Sequence, residues 1–175
     1  MSELLYRASP ISWNRVASMT DSLRQQLELE NQKFFPIIEV LELVLDQQLG
    51  IVRIDVEDNE IMRDMEGFTD PAGEFICFSE TVYHQAYQQK PRARWTAAHE
   101  TGHFFLHTRK PLMRVVGESV RAFECPERQA HQFAAELLMP RRFMRSDMDV
   151  HEVMSDFGVS EEAATKRLKF IASLK

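Results

Sequence analysis

Hydrophobic residues recur at helical spacing over much of the chain. Residues 12–31 carry apolar side chains on one face only, which predicts an amphipathic helix. The apolar residues of that face are Trp13, Val16, Met19 and Leu23. A second helix is predicted between Pro36 and Gly50, because proline is favoured in the first turn of a helix and glycine just after the last turn.

The pattern changes to short alternating stretches in the middle of the chain. Residues 51–56 alternate β-branched and polar side chains, and residues 75–78 form a second short apolar run, so both predict strands. The sequence Asp70-Pro-Ala-Gly73 between Phe68 and Phe75 is typical of a turn. We therefore expect a small, mainly antiparallel sheet.

Helical periodicity returns after Ser79 and continues to the end of the chain. The predicted helices cover residues 80–87, 92–107 and 126–139, followed by two or three short helices between residues 141 and 174. Residues 110–120 are expected to be irregular or extended. This order of elements predicts an α+β fold, with a mainly helical core at 1–140 and a C-terminal helical segment at 141–175 packed on it.

Composition and charge restrict the class of protein. The chain has 175 residues, and 44% of them are hydrophobic, which is typical of a globular protein. Its net charge of −6 disfavours a protein whose main role is to bind nucleic acid. Its two cysteines, Cys77 and Cys125, predict reduced thiols. Neither a signal peptide nor an apolar run of spanning length is present, so we expect a cytoplasmic protein with no membrane association.

The most informative stretch is WTAAHETGHFFLH at residues 95–107, which contains HExxH within a predicted helix. Residues four apart lie on one helix face, so His99 and His103 can both bind one metal ion. Glu100 is turned about 100° from His99. It is badly placed to be a ligand but can reach a water molecule at the metal, as a general base must.

A catalytic zinc ion requires a third protein ligand and one open position. The extended motif HExxHxxGxxH is excluded, because Leu106 and Arg109 replace its glycine and third histidine. The candidates on the next helix and just before it are Glu124, Glu127, His131 and Glu136. Glu127 is the best of them, His131 is its main rival, and Glu136 should face the opposite side of the helix.

The chain resembles the ImmA/IrrE-type metallopeptidases from about Pro36 to Leu174. Three stretches carry the resemblance: WTAAHETGH with His107, ERQAHQFAAELLMP at 127–140, and FGVSEEAA at 157–164. The resemblance implies a zincin-like peptidase core with His99, His103 and Glu127 as zinc ligands and Glu100 as the catalytic base. It also implies a helix-turn-helix repressor of a phage or mobile element as the substrate, whose cleavage relieves repression.

Several auxiliary roles remain open at the level of sequence. His131 stands where the family more often has Asn or Asp, and it could bind a ligand, contact substrate or add a fourth ligand. Tyr83, His107 and His131 are candidate oxyanion donors, although His107 fits equally well as a group supporting a ligand or as a core histidine.

The C-terminal segment has the sequence pattern of a helix-turn-helix, with Ser160 capping the second helix. That helix begins with Glu161-Glu162, which would repel phosphate, so a structural or repressor-docking role is favoured over DNA binding. The main alternative to a protease is a metal-bound antirepressor that binds its partner without cleaving it.

Overall fold

Helices make up most of the chain in the computed structural model, which describes residues 5–115 and 119–174. The helices are α1 Trp13–Gln26, α2 Ile37–Glu39 with a π-helical continuation Val40–Gln48, α3 Asn59–Met62, α4 Glu80–Tyr87, α5 Pro91–His107, α6 Pro126–Leu138, α7 Val150–Phe157 and α8 Glu161–Ala172. The strands are β1 Leu5–Arg7, β2 Arg53–Glu57, β3 Gly67–Thr69, β4 Phe75–Ser79 and β5 Met113–Val115. The α+β class with a small sheet is confirmed.

Within the described residues, the strands form two small sheets. Strands β1 and β5 pair antiparallel, and the second sheet has the order β2-β4-β3. Strands β3 and β4 form the antiparallel hairpin predicted around Asp70–Gly73, whose carboxylate at Asp70 accepts from the amide of Glu74 at 3.0 Å. Strand β2 runs parallel to β4, so two of the three strand pairs in the described part of the chain are antiparallel.

The first predicted helix is shorter than expected. It ends at Gln26 rather than near residue 31, and Glu28 takes a positive φ of 57°. The buried guanidinium of Arg24 occupies the following turn, where it donates to the carbonyls of Leu29 and Gln32 at 3.1 and 2.6 Å. These backbone acceptors stabilise a loop in place of about one and a half further helical turns.

The centre of the molecule is the contact between α5 and α6. The buried face of α5 carries small residues, which let α6 approach closely. Gly102 is the tightest point, because a Cβ atom there would lie 3.0 Å from the carbonyl oxygen of Ala130 and 3.1 Å from Cβ of Phe133. This close packing sets the distance between the two helices.

The C-terminal helices are held to this centre by two buried arginines. Arg94 of α5 donates to the carbonyls of Phe157 and Gly158 at the end of α7, at 3.2 and 3.0 Å. Arg167 of α8 pairs with the carboxylate of Glu136 at 2.5 Å. The division of the chain into units at residue 140 stays a prediction. None of the described helices combines the length and hydrophobicity needed to cross a bilayer.

Candidate metal centre

Two helices carry the residues of the candidate metal centre. His99 and His103 lie one turn apart in α5, which begins at Pro91 and runs without interruption to His107. Glu127 is the second residue of α6, which begins at Pro126. Because Gly102 and Ala130 are in contact between these helices, the first turn of α6 lies beside the histidine face of α5.

The three side chains meet through their ligating atoms. The Nε2 atoms of His99 and His103 are 3.0 Å apart, and the two carboxylate oxygens of Glu127 lie 3.2 and 3.3 Å from them. Ligands held 2.0–2.1 Å from a tetrahedral zinc ion lie about 3.3 Å from one another. The observed separations therefore fit three corners of such a site, and this is a cluster of possible metal ligands within the described residues.

The charge of Glu127 is stabilised by the same two histidines. The adjacent imidazoles of His103 and His99 hold the pKa of Glu127 well below its usual range, although burial opposes the shift. About two-thirds of the side chain remains exposed. The carboxylate is thus ionised, as a metal ligand must be, while one side of the cluster stays open to solvent.

Glu100 lies beside the cluster and is not part of the ligand set. It is only 7% exposed, and one of its oxygens accepts from the hydroxyl of Thr69 at 2.8 Å. Glu100 and His99 line two cavities, of about 500 and 1050 Å³, that share Gly67 as a third wall residue. A carboxylate at this junction can exchange a proton with a group bound between the two cavities.

His107 supports His103 from the next turn of α5. Its Nδ1 lies 3.1 Å from Nδ1 of His103, and its Nε2 lies 2.8 Å from the side-chain oxygen of Gln129. Burial lowers the pKa of His107 to about 4, against the opposing effect of the Gln129 hydrogen bond. His107 is therefore neutral at physiological pH, and it both contacts a candidate ligand and lines the smaller cavity at the cluster.

The rivals of Glu127 lie elsewhere. His131 packs its ring on His99 with centroids 4.6 Å apart, and burial lowers its pKa, but it is not in the ligand cluster. Glu136 is buried and pairs with Arg141 and Arg167, so it faces away from Glu127 as expected. Glu124, in a 3-10 turn at Ala122–Glu124, is also outside the cluster.

Tyr83 does not reach the centre. Its hydroxyl donates to the carboxylate of Glu42 at 2.9 Å, and the hydroxyl of Tyr87 bonds to the same carboxylate. Neither cavity at the centre includes Tyr83 in its wall. Glu42 in the π-helical part of α2 thus binds the hydroxyl of Tyr83, and an oxyanion role for Tyr83 stays a prediction.

Sequence reasoning missed Thr69 and Gln129. Thr69 comes from the β3 edge of the sheet, and nothing in its sequence context indicates a contact with Glu100. Gln129 could have been noticed, because it is a 2% exposed polar residue on the face of α6 that otherwise carries Pro126, Ala130 and Phe133. A buried amide needs hydrogen-bond partners, which makes it a marker for a polar network.

Comparison with known protein families gives a match over most of the chain. The sequence model of a peptidase family, described as the IrrE N-terminal-like domain, matches residues 46–169. The match includes all of α3 to α7 and most of α8, and therefore both helices of the candidate centre. No curated protein and no solved structure matches the chain.

Proposed function

Because the chain belongs to the IrrE N-terminal-like family of metallopeptidases, we propose that it is a zinc-dependent endopeptidase that cleaves a transcriptional repressor. The observation that carries this proposal is the convergence of His99, His103 and Glu127 from two helices, within 3.3 Å of one another. Peptidase chemistry also needs a general base, and Glu100 lies at the same place.

Zinc is the metal that best fits this donor set. Two imidazoles and one carboxylate with an open fourth position are typical of catalytic zinc sites, whereas Mg²⁺ and Ca²⁺ prefer oxygen ligands. A bound Zn²⁺ would polarise a peptide carbonyl and make a nearby water molecule acidic enough to act as a nucleophile near neutral pH.

The role proposed for Glu100 follows from its position and its hydrogen bond. Thr69 donates to one carboxylate oxygen, which holds the carboxylate plane in place. Glu100 would accept the proton of the attacking water and return it to the leaving amine. Gly67 leaves room for this carboxylate, because a Cβ atom there would lie 3.2 Å from Cγ of Glu100.

The two cavities support a polypeptide substrate. Because His99 and Glu100 line both cavities, an extended chain could occupy both while its scissile bond lies beside these two residues. A helix-turn-helix repressor as this substrate rests on the likeness to ImmA/IrrE-type enzymes.

The test is co-expression with the helix-turn-helix repressor encoded beside the gene. We expect repressor fragments with the wild-type chain and none with Glu100→Gln, since loss of the base lowers the rate by about 100- to 10,000-fold. Both proteins should bind one zinc ion, because Glu100 is not a ligand in this proposal. Fragment masses would also identify the cleaved bond.

A matched control is Glu80→Gln, which removes an exposed carboxylate at the start of α4. This variant should produce the same fragments as the wild type. Equal inactivation of the repressor by wild type and Glu100→Gln, without fragments, would instead indicate a binding-only antirepressor. A wild-type chain that binds no zinc would refute the metal centre itself.

A further inference from the structure

A chain of hydrogen bonds leads from the candidate metal centre to the N-terminal segment. It begins at His103, passes through His107 to Gln129, and ends on two backbone carbonyls, those of Ser9 and Phe123. The donor and acceptor role of each atom in this chain follows from the chemistry of its partners.

The orientation of the Gln129 side-chain amide follows from its two carbonyl partners. Its Nε2 lies 3.0 Å from the carbonyl oxygen of Ser9 and 2.7 Å from that of Phe123. Carbonyl oxygens can only accept, so the amide NH₂ group must face them. The side-chain oxygen of Gln129 therefore faces His107, and Gln129 is 2% exposed, so water cannot readily replace these partners.

The tautomer of His107 follows from this arrangement. The oxygen of Gln129 accepts a hydrogen bond from Nε2 of His107 at 2.8 Å, so that nitrogen carries the proton. The Nδ1 atom of a neutral His107 then holds a lone pair, and it lies 3.1 Å from Nδ1 of His103. Two lone pairs cannot face each other at this distance, so Nδ1 of His103 must donate.

His103 is thereby left with the electron pair that a metal ligand needs. With the proton on Nδ1, the lone pair of a neutral His103 is on Nε2, the atom that faces His99 and Glu127. His99 has no comparable support, since its buried Nδ1 has no hydrogen-bond partner among the described protein atoms. Only one of the two histidines is thus oriented by such a chain within the described residues.

We propose that His107 and Gln129 are positioning residues that fix the tautomer of His103 for zinc binding, with the carbonyls of Ser9 and Phe123 as the anchor. This proposal rests on the proposed zinc site. It gives a role to the N-terminal segment, which lies outside the family match at residues 46–169. Ile11 strengthens the anchor, because its amide also donates to the carbonyl of Phe123, at 3.0 Å.

The first test is zinc affinity, measured by competition with a chromogenic chelator. Loss of a group that orients a ligating histidine typically lowers metal affinity about 10- to 100-fold. We expect a loss in this range for His107→Phe and a loss near its lower end for Gln129→Leu. His107→Asn should recover most of the affinity, because Oδ1 of asparagine stands near the position of Nδ1 and can accept from His103.

The matched control is Gln132→Leu, one turn further along α6. Gln132 also makes a side-chain amide hydrogen bond, to Glu136 at 2.8 Å, but it does not contact the histidines. It should bind zinc as tightly as the wild type. Affinity losses of equal size in Gln129→Leu and Gln132→Leu would overturn the proposal, since they would indicate a general loss of packing in α6.

The second test reads the tautomer directly by ¹⁵N NMR of the zinc-loaded wild-type chain. We expect a proton on Nε2 of His107, none on its Nδ1, and a scalar coupling between the Nδ1 atoms of His107 and His103. If Nδ1 of His107 carried a proton in a chain that binds zinc, the positioning role of His107 and Gln129 would be overturned, but the metal centre would not. Failure of the wild type to bind zinc would overturn the metal centre, and with it the positioning role of His107 and Gln129.

Discussion

The contact at Gly102 allows the link between helix packing and metal binding to be tested with one methyl group. In Gly102→Ala, the new Cβ would lie 3.0 to 3.1 Å from backbone atoms of Ala130, whereas ordinary contact begins near 3.4 Å. Helix α6 must then move away by roughly 0.4 Å, which exceeds the tolerance of about 0.2 Å on metal–ligand distances. Because Glu127 lies one turn before Ala130, its carboxylate moves with the helix.

Two effects on stability oppose each other in this variant. Overpacking costs about 1–3 kcal/mol and alanine gains about 1 kcal/mol over glycine inside a helix, so the net loss is about 0–2 kcal/mol. Zinc affinity should fall by about tenfold or more. Urea denaturation of the metal-free chain measures the first quantity, and competition with a chelator measures the second.

Gly50→Ala is the control that separates an effect on the stability of the chain from an effect on its zinc affinity. Gly50 has a φ of +59° and nothing within 4 Å of a built Cβ, so alanine there costs about 1 kcal/mol or more through backbone strain without moving α6. This control should bind zinc normally. Unchanged zinc affinity in Gly102→Ala would refute the idea that the α5–α6 contact sets the position of Glu127.

Three further outcomes are expected. Gly67→Ala should lower kcat for repressor cleavage while zinc affinity is unchanged, because its Cβ crowds the side chain of Glu100. Arg167→Met should lower the free energy of unfolding by about 3 kcal/mol, since Glu136 keeps only one arginine partner. As a control, Lys166→Met replaces an exposed lysine of the same helix and should leave the urea midpoint unchanged. Chelation of zinc should lower the melting temperature, because zinc at about 100 times its Kd contributes about 2.7 kcal/mol.

Local sequence patterns predicted the parts of the centre that depend on one helix. The i, i+4 spacing of His99 and His103 is a property of the helix itself, and apolar periodicity was sufficient to predict α5. The position of Glu127 in the first turn of the next helix was also predictable from Pro126. The convergence of Glu127 on the histidines is different, because it depends on the close contact at Gly102.

The features of the candidate site that sequence reasoning did not reach are contacts between distant segments. Thr69 bonds to Glu100 across 31 residues, and Gln129 bonds to the carbonyl of Ser9 across 120 residues. The parallel pairing of β2 with β4 likewise depends on how α3 and β3 fold back between them. Single-sequence periodicity carries no information on such partners, which the packing of the core determines.

The two buried arginines bear on what the C-terminal helices do. Arg94 donates to the carbonyls at the end of α7, and Arg167 donates to the carbonyl of Met139 just after α6 as well as to Glu136. Of the basic residues in α8, Arg167 is therefore buried in structural contacts, and Lys166 pairs with Glu162. Lys169 is the basic residue of α8 left without an ion pair among the described residues, which is little positive charge for binding phosphate.

The same helix contributes to the larger cavity beside Glu100. Ser160, Ala163 and Phe170 are among the residues that line it, so one face of α8 forms a wall of the proposed substrate cleft. A helix whose arginine is buried and whose small and aromatic residues face a peptide-sized cavity is suited to contact a protein substrate. This arrangement favours repressor docking over DNA recognition, and it predicts that substitutions at Phe170 change KM for the repressor before they change kcat.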